Sequence, residues 1–300
     1  MKRNSIGGLA VSALLIAAPL SGASAADLPL KAPPAPPAVV YDWSGFYLGG
    51  GLSYSWGRVS DTGTFQPSFT SSATIFNAAP TTWNPNQKLT GLDGEIQAGY
   101  RKQIGAMVLG TEVVARWTDE HGRGNCYQTY PTGYPTNTPP ITSPGTAGGA
   151  FSCYKDTRLN STEALLFEVG MLATPQLLLQ ISGGPAAGQI RANDAFSFMY
   201  PGGAVTSGSS SHSIDRGGYW VGGGAEYAVL SNLHLKIEYY FMDFGNVGTN
   251  TQWTDTTGLC TPTASNSCVH TFANERRVTD NSVLIGFNYS FGGGPIAAKY

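Results

Sequence analysis

The sequence contains few charged residues. They make up 12% of the chain, about half of the roughly 25% found in ordinary soluble domains. The formal net charge is −2, so the composition gives no sign of the basic surface that a nucleic-acid-binding protein carries. The scarcity of charge therefore disfavours both an ordinary soluble domain and a nucleic-acid partner.

Residue spacings typical of metal and catalytic sites are also lacking. The four cysteines show no Cys-x-x-Cys spacing of a redox or zinc site. The four histidines are scattered without ligand spacing such as H-x-x-x-H: His121, His212, His234 and His270. His121 lies near Asp119 and Glu120, but a lone loop histidine beside acids is usually solvated. We expect no enzyme activity, catalytic residue, cofactor or metal.

The chain has one long apolar run, and it lies at the N-terminus. Lys2 and Arg3 precede this run, which ends in small residues before Ala25 and Ala26. It is shorter than the roughly 18–20 residues that cross a bilayer, so residues 1–25 are predicted to be a secretory signal peptide cleaved between Ala25 and Ala26. Cleavage changes the net charge to (17 − 2) − 19 = −4. No later segment is apolar enough for a spanning helix, so strands must provide any membrane anchorage.

Beyond the signal peptide, the chain is rich in proline and then in alternating hydrophobicity. Residues 26–42 contain many prolines and are predicted to form an extended periplasmic tether. From Trp43 to Phe291, apolar and polar residues alternate with the two-residue period of a strand, and residues 292–300 form a short C-terminal extension. Strands of about ten residues with an apolar outer face and a polar inner face are typical of a membrane-spanning barrel.

Eight strands follow from this alternation. The first seven cover about 45–58, 90–103, 107–118, 162–172, 177–190, 218–229 and 233–244, and the eighth ends at Phe291. In the fourth strand, Leu166 and Leu172 fall on the face that is otherwise polar. In the fifth, Pro185 lacks a backbone donor, which predicts a bulge or weakened pairing.

The gaps between the strands alternate in length, as they do in a barrel with one periplasmic and one outer end. Short turns are predicted at about 104–106, 173–176 and 230–232. Long loops are predicted at about 59–89, 119–161, 191–217 and 245–280. The sequence therefore predicts an all-β, eight-stranded antiparallel transmembrane barrel with four long outer loops and three short periplasmic turns. Both termini lie on the short-turn side.

The cysteines form two local pairs, Cys126 with Cys153 and Cys260 with Cys268. Export permits disulfides. Four cysteines allow three connectivities, and we predict these two links because each pair falls within one predicted loop.

Several charged residues are predicted to point into the barrel: Glu95, Arg101, Glu112, Arg116, Glu168, Glu226, Lys236 and Glu238. Eight strands enclose a space just wide enough for side chains, and charges buried there need partners. They form either a salt-bridged interior or, because five glutamates face three basic residues, a narrow and weakly cation-preferring pore.

Aromatic residues fall near the strand ends, where an interfacial girdle is expected. The predicted girdle contains Tyr47, Tyr54, Trp56, Trp117, Tyr239, Tyr289 and Phe291. Further aromatics lie in the predicted loops and either contact host or phage partners or fold the loops onto the rim: Phe65, Phe69, Trp83, Tyr130, Tyr134 and Trp253.

Several short runs carry a resemblance to a known family. They are Ala26–Pro29 with the proline tether, Tyr41–Tyr47, Gly222–Tyr227, Glu238–Tyr239 with Asp243–Gly245, and Gly286–Phe291. In order and spacing the chain resembles the small outer-membrane proteins of alphaproteobacteria known as RopB-like surface antigens, which share an architecture with the transmembrane domain of OmpA.

The resemblance implies a location in the bacterial outer membrane and a structural role in envelope integrity and surface display, in a group often classed with porins. The implied partners are outer-membrane lipid and lipopolysaccharide, and the barrel-assembly machinery during insertion. Phe287, Tyr289 and Phe291 would be the assembly signal, which is internal because nine residues follow Phe291. A narrow nonspecific porin and a loop-mediated adhesin or receptor are the alternative functions.

Overall fold

The computed structural model describes residues 39–71, 74–77, 81–129, 150–199, 205–254, 269–291 and 295–297. Their strands are β1 (Val39–Tyr41), β2 (Gly45–Ser71), β3 (Thr74–Asn77), β4 (Thr81–Trp83), β5 (Gln87–Ile104), β6 (Met107–Thr129), β7 (Ala150–Thr174), β8 (Leu177–Met199), β9 (Val205–Ala228), β10 (Leu233–Thr254), β11 (Val269–Phe291) and β12 (Pro295–Ala297). The predicted signal peptide, most of the tether and the Cys260–Cys268 pair lie outside the described residues. No helix among the described residues is long and apolar enough to cross a membrane.

Eight long strands form a closed ring. β2 and β5 to β11 each pair with the next strand in antiparallel fashion, and β11 pairs with β2. Short turns join Ile104 to Met107, Thr174 to Leu177 and Ala228 to Leu233, and β2 begins and β11 ends at that same side, where Phe291 pairs with Phe46. We call this side the short-turn end and the opposite side the long-strand end. The predicted antiparallel barrel is confirmed.

The stagger of the ring sets the width of its interior. Cross-strand pairs followed once around the ring from Phe46 return to β2 at Trp56, so the stagger is 56 − 46 = 10 residues. With eight strands this gives a strand tilt of about 40° and a backbone radius of about 8 Å. Such a cylinder has room for side chains and little else.

The strands are longer than the sequence predicted. They contain between 18 residues in β5 and 27 in β2, whereas crossing a bilayer takes about 9–11. The predicted loops at about 59–89, 119–161, 191–217 and 245–280 are wrong in their bounds because each begins and ends in strand. Outside the membrane the outer face of a strand need not be apolar, so the regular alternation of hydrophobicity is lost although the backbone pairing continues.

Two predicted irregularities occur in the fourth and fifth barrel strands. Ala164 pairs with Ala186 and Phe167 with Gly183, but the two positions between them do not pair. The unpaired stretch contains Pro185, so the predicted weakening is confirmed. Leu166 is buried inside the barrel and contributes to its apolar core.

The ring is not closed along its whole length. β9 and β10 pair from Ala228–His234 to Tyr219–Asp243, and beyond that point each of them pairs only with its other neighbour. A bulge interrupts β10 between Asp243 and Asn246, where Gly245 has φ 65°, and a bulge bends a strand and increases its twist. We call this open line at the long-strand end the seam.

The short-turn end is closed by residues from the N-terminal side. Trp43 is buried; its indole Nε1 donates to the Pro175 carbonyl at 3.2 Å, and its ring centroid lies 4.5 Å from that of His234. Beside it, β1 and β12 form a two-stranded sheet. This pairing joins the end of the predicted tether to the predicted C-terminal extension and was not foreseen from the sequence.

Candidate functional site: the barrel wall and interior

The outer wall carries a continuous apolar band. On β2, exposed apolar residues run from Phe46 to Trp56, a length that corresponds to about 25 Å across a membrane once the tilt is included. The other strands contribute similar residues, among them Leu92, Ile96, Leu109, Val113, Leu165, Val169, Leu179, Ile181, Val221, Leu235, Ile237, Ile285 and Phe287. Exposed apolar area of this extent has to face lipid. We take the part of each strand that carries the band as membrane-spanning.

Aromatic residues border the band at both edges. Six of the seven predicted girdle residues are exposed on the outer wall: Tyr54, Trp56, Trp117, Tyr239, Tyr289 and Phe291. The prediction for Tyr47 is wrong, because this side chain is only 2% exposed and its hydroxyl donates to Glu112 Oε2 at 2.7 Å. Tyr47 lies between the outward-facing Phe46 and Leu48, so strand alternation places it inside.

Near the short-turn end, the interior contains an ion-pair network that we call the lumen cluster. The guanidinium of Arg101 contacts Glu168 and Glu226, each at 2.8 Å, and lies over the ring of Tyr47 at 4.2 Å from its centroid. Lys236 Nζ lies 3.1 Å from Glu238 and 3.8 Å from Glu112. The lumen cluster consists of Arg101, Glu112, Glu168, Glu226, Lys236 and Glu238. All eight lumen charges named from the sequence lie buried inside the barrel.

Farther along the interior, Arg116 is the centre of a second network. It contacts Asp280 at 2.9 Å and Asp93 at 3.2 Å and donates to the Ser282 hydroxyl at 2.8 Å. Glu95 accepts a hydrogen bond from the Tyr240 hydroxyl at 3.1 Å. The sequence did not indicate Asp280, because it lies at the end of a predicted loop.

Apolar side chains pack around and beyond this network, and we call them the apolar layer. Trp220 stacks on Tyr240 with ring centroids 4.2 Å apart. The layer contains buried residues from nearly every strand: Val59, Leu89, Val114, Leu159, Leu166, Ile190, Met242, Phe244, Val278 and Leu284. Tyr240, Met242, Phe244 and Leu284 have no exposed surface, so their side chains are shielded from solvent.

Beyond the apolar band, the interior holds a third charged group, which we call the upper polar cluster. Asp61 lies 2.7 Å from Lys155 Nζ and 2.8 Å from Arg276 Nε, and Asp194 also pairs with Arg276. Asn274 contacts Lys155. Burial lowers the pKa of Lys155, and the charge of Asp61 opposes that effect. Sequence reasoning missed this cluster because all its members lie in predicted loops.

Aromatic side chains fill the interior at the long-strand end. Trp83 is buried and stacks on Phe151 with centroids 4.2 Å apart, while Phe272 lies next to both and to Phe196. The predicted disulfide between Cys126 and Cys153 is present and links β6 to β7 beside these rings. Trp83 therefore lies on a short strand, β4, and packs inside the barrel, whereas the sequence placed it in a loop.

Two of the histidines have contacts within the described part of the chain. His121 is exposed and contacts the Asp119 carbonyl at 3.1 Å, and His234 is buried against Glu226 at 2.9 Å. Within the described ranges, no group of three or more His, Cys, Asp or Glu side chains is placed to hold a metal ion.

Comparisons with known proteins relate the chain to outer-membrane proteins. No family model matches it. It is 27% identical over 275 residues to the 31 kDa outer-membrane immunogenic proteins of Brucella melitensis biotype 1 and Brucella suis biovar 1, covering 90% of this chain and 94% of each relative.

Among solved structures, the chain is similar to OprG from Pseudomonas aeruginosa, with 12% identity, coverage of 84% of this chain and 98% of that chain, and a TM-score of 0.41. It is also similar to Neisserial surface protein A, with 14% identity, coverage of 83% and 98%, and a TM-score of 0.30. Homology to outer-membrane proteins over nine tenths of the chain, together with a ring whose outer wall is apolar, identifies the protein as an outer-membrane β-barrel with a structural or surface role in that membrane.

Proposed function

We propose that the protein is a closed structural barrel that contributes to envelope integrity and displays its long-strand end at the cell surface, and that it conducts no ions. The observation that supports this proposal is the filling of the interior by successive layers of side chains. From the short-turn end these are the Trp43 closure, the lumen cluster, the Arg116 network with the apolar layer around and beyond it, the upper polar cluster and the aromatic group around Trp83.

The layers brace the ring as well as fill it. Arg101 on β5 contacts Glu226 on β9, and Arg116 on β6 contacts Asp280 on β11. These strands are not neighbours, so each pair joins opposite sides of the cylinder. Cross-braced walls favour a rigid envelope component, and they argue against a channel that holds water along its axis.

The narrow porin is the weaker alternative. Its support was the excess of glutamates among the predicted lumen charges, but a conducting path also needs hydrated surface at every level. The apolar layer offers none, since Tyr240, Met242 and Leu284 have no exposed surface. An ion on this path would have to shed its hydration to pass these packed side chains, which is costly.

The surface-display part of the proposal rests on strand length. β6 continues 12 residues beyond Trp117, and β2 continues 15 beyond Trp56, which corresponds to roughly 30 Å or more of wall at the tilt of this barrel. Since outer-membrane barrels have their short turns on the periplasmic side, this wall would stand outside the cell. A loop-mediated adhesin or receptor would use the same end of the barrel.

Planar-bilayer recording on the refolded protein tests the closed lumen. We expect no steady openings from the wild type or from Glu112→Gln and Glu238→Gln variants. Steady openings whose ion selectivity shifts in either variant would overturn the closed-barrel proposal and establish the pore.

Gene deletion tests the envelope role. We expect deletion to increase sensitivity to detergents, and a variant lacking residues 131–148 to restore resistance, because that deletion leaves every described strand intact. Unchanged sensitivity in the deletion strain would contradict the envelope role. If the shortened variant restores resistance but loses a binding partner, the adhesin function exists as well.

We also propose that the assembly machinery recognises the end of β11. Phe287, Tyr289 and Phe291 are exposed in one outward-facing line. Replacing Phe291 by alanine should reduce the amount of folded barrel in the outer membrane. A Phe291→Ala variant that inserts at the wild-type level would refute this role.

A further inference from the structure

Five basic side chains form a row on the outside of the wall at the long-strand end. They lie on five consecutive strands of the ring, and all are exposed: Arg58 on β2, Lys88 on β5, Arg123 on β6, Arg158 on β7 and Arg191 on β8. We call them the basic row.

The strand register brings these residues together. Arg58 is paired directly with Lys88, and Arg158 directly with Arg191. Between these two pairs, the neighbouring residue on β6, His121, is paired with Arg158, and Arg123 follows it by two positions on the same face. Directly paired residues have Cβ atoms about 5 Å apart and diagonal neighbours about 7–8 Å apart, so the long side chains of the row can adjoin one another across the five strands.

Too few acidic groups neutralise the row. Asp156 contacts both Arg123 at 3.7 Å and Arg158 at 3.3 Å, so one carboxylate serves two guanidiniums. Within the described part of the chain, Arg58, Lys88 and Arg191 make no ion pair. Arg277 on β11, by contrast, has its own partner, since its Nη2 donates to Asp243 at 2.5 Å.

Such an arrangement is unfavourable in the isolated protein. Like charges placed directly opposite each other on paired strands destabilise a sheet, and here this occurs twice, in a chain whose overall net charge is negative. An anionic ligand that bridges neighbouring strands would remove this repulsion.

The height of the row matches the headgroup region of a membrane. Arg191 lies on the same rung of cross-strand pairs as Trp56 of the girdle. A stagger of ten residues over eight strands means that a rung rises toward the long-strand end by about 1.25 residues, or about 3 Å, at each strand. Arg191 is four strands along the rung from Trp56 and so lies about 12 Å above it. Arg58 is two residues beyond Trp56 on the same strand and lies about 5 Å above it. Polar headgroups begin directly beyond the hydrocarbon core and extend for roughly 5–8 Å, so the row begins within them at Arg58 and reaches their outer side at Arg191.

We propose that the basic row is a binding site for the phosphate groups of the phosphorylated glycolipid in the outer leaflet, the lipid A part of lipopolysaccharide. The guanidinium groups of Arg158 and Arg191 present paired donors that suit phosphate oxygens, and Arg58 with Lys88 forms a second cationic pair on the same row. The acyl chains of the lipid would lie on the apolar band below. The proposal rests on the proposed function in one respect, namely that the long-strand end faces outward.

Native mass spectrometry of the refolded mature protein in neutral detergent with EDTA tests the site, because the chelator removes cation bridging. We expect bisphosphorylated lipid A to stay bound and dephosphorylated lipid A not to. Each arginine near an anionic headgroup is worth about a fivefold change in affinity, so the double variant Arg158→Gln/Arg191→Gln should bind about 25-fold more weakly. Arg158→Lys/Arg191→Lys keeps the charge and should retain most of the binding.

Lys102→Gln is the matched control, because Lys102 is an exposed basic residue at the short-turn end, and it should bind as the wild type does. All variants should show heat-modifiable migration on gels, which establishes that the barrel is folded. The proposal is overturned if the folded double variant binds like the wild type, if phosphate removal from lipid A has no effect, or if millimolar inorganic phosphate displaces the lipid completely, which would indicate a general anion site. A wild-type protein that gives silent planar bilayers but does not bind lipid A would refute this site while leaving the closed barrel intact.

Discussion

Replacement of Arg101 by methionine tests whether the lumen cluster is sealed from water. The guanidinium is buried and holds two carboxylates at 2.8 Å, those of Glu168 and Glu226. Methionine fills similar space but leaves both carboxylates without their principal cation. Removing one partner of a buried ion pair costs about 3–5 kcal/mol. Since total stabilities of domains are about 5–15 kcal/mol, we expect Arg101→Met to lower the free energy of unfolding by at least 3 kcal/mol.

Urea unfolding of the refolded barrel, followed by tryptophan fluorescence, measures this change. Lys102→Met is the matched control: it removes the same charge at the neighbouring, outward-facing position, where surface substitutions change stability by about 0.5 kcal/mol or less. Adding Glu168→Gln and Glu226→Gln to Arg101→Met should recover most of the loss, because the uncompensated charges are then gone. If Arg101→Met alone unfolds within 1 kcal/mol of the wild type, as a solvated carboxylate pair would allow, the sealed interior is refuted.

Three further predictions concern covalent linkage, packing and pH. The double variant Cys126→Ser/Cys153→Ser removes a disulfide whose cysteines are 27 residues apart in sequence, so its free energy of unfolding in urea should fall by about 3–4 kcal/mol. Non-reducing peptide mapping of the wild type should link Cys126 to Cys153 and Cys260 to Cys268. Crossed links would contradict this pairing. Gly224→Ala would place a Cβ 2.1 Å from the Ile237 carbonyl oxygen, so it should lower the free energy of unfolding by about 1–3 kcal/mol. At Gly94 no atom lies within 4 Å of the added Cβ, so Gly94→Ala should change the stability very little. Equal effects of the two substitutions would refute the packing argument. Asp243 lies just beyond the apolar band, and the hydrogen bond from Arg277 lowers its pKa. The stabilisation that this hydrogen bond provides is therefore present above the ordinary carboxyl pKa and is lost as the pH falls through the lowered pKa of Asp243. Asp243→Asn should remove that part of the acid dependence of unfolding and Asp119→Asn should not; an unchanged profile in Asp243→Asn would exclude the Arg277 contact as its cause.

The sequence predicted the membrane-spanning half of the barrel well because lipid imposes a rule on every second residue. Between Phe46 and Trp56, each outward position must be apolar, so the alternation is visible and gives the register. Tyr47 is the exception, and it shows that a residue's odd or even position in the strand decides which face it occupies. An aromatic near a strand end suggests a girdle residue, but its parity places the hydroxyl beside Glu112 in the interior.

The upper half could not be predicted in the same way. Asp61 is buried between the exposed Ser60 and Thr62, and all three are polar, so the sequence shows no contrast between inside and outside. What keeps Asp61 inside is pairing with Lys155 and Arg276, residues far away in the chain. Only the three-dimensional register brings these partners together, and the same is true of the basic row on the outer face.

The seam between β9 and β10 gives the barrel two regions of different cooperativity. Below Tyr219 and Asp243 every strand has two hydrogen-bonded neighbours, so no strand can leave without breaking the whole cylinder. Above that level, two strand margins have backbone groups that no partner strand protects, and a side-chain contact between Ser210 and Thr251 crosses the opening. Amide protons along those margins should exchange with solvent first, and sequence changes there should be tolerated most readily during evolution of the exposed surface.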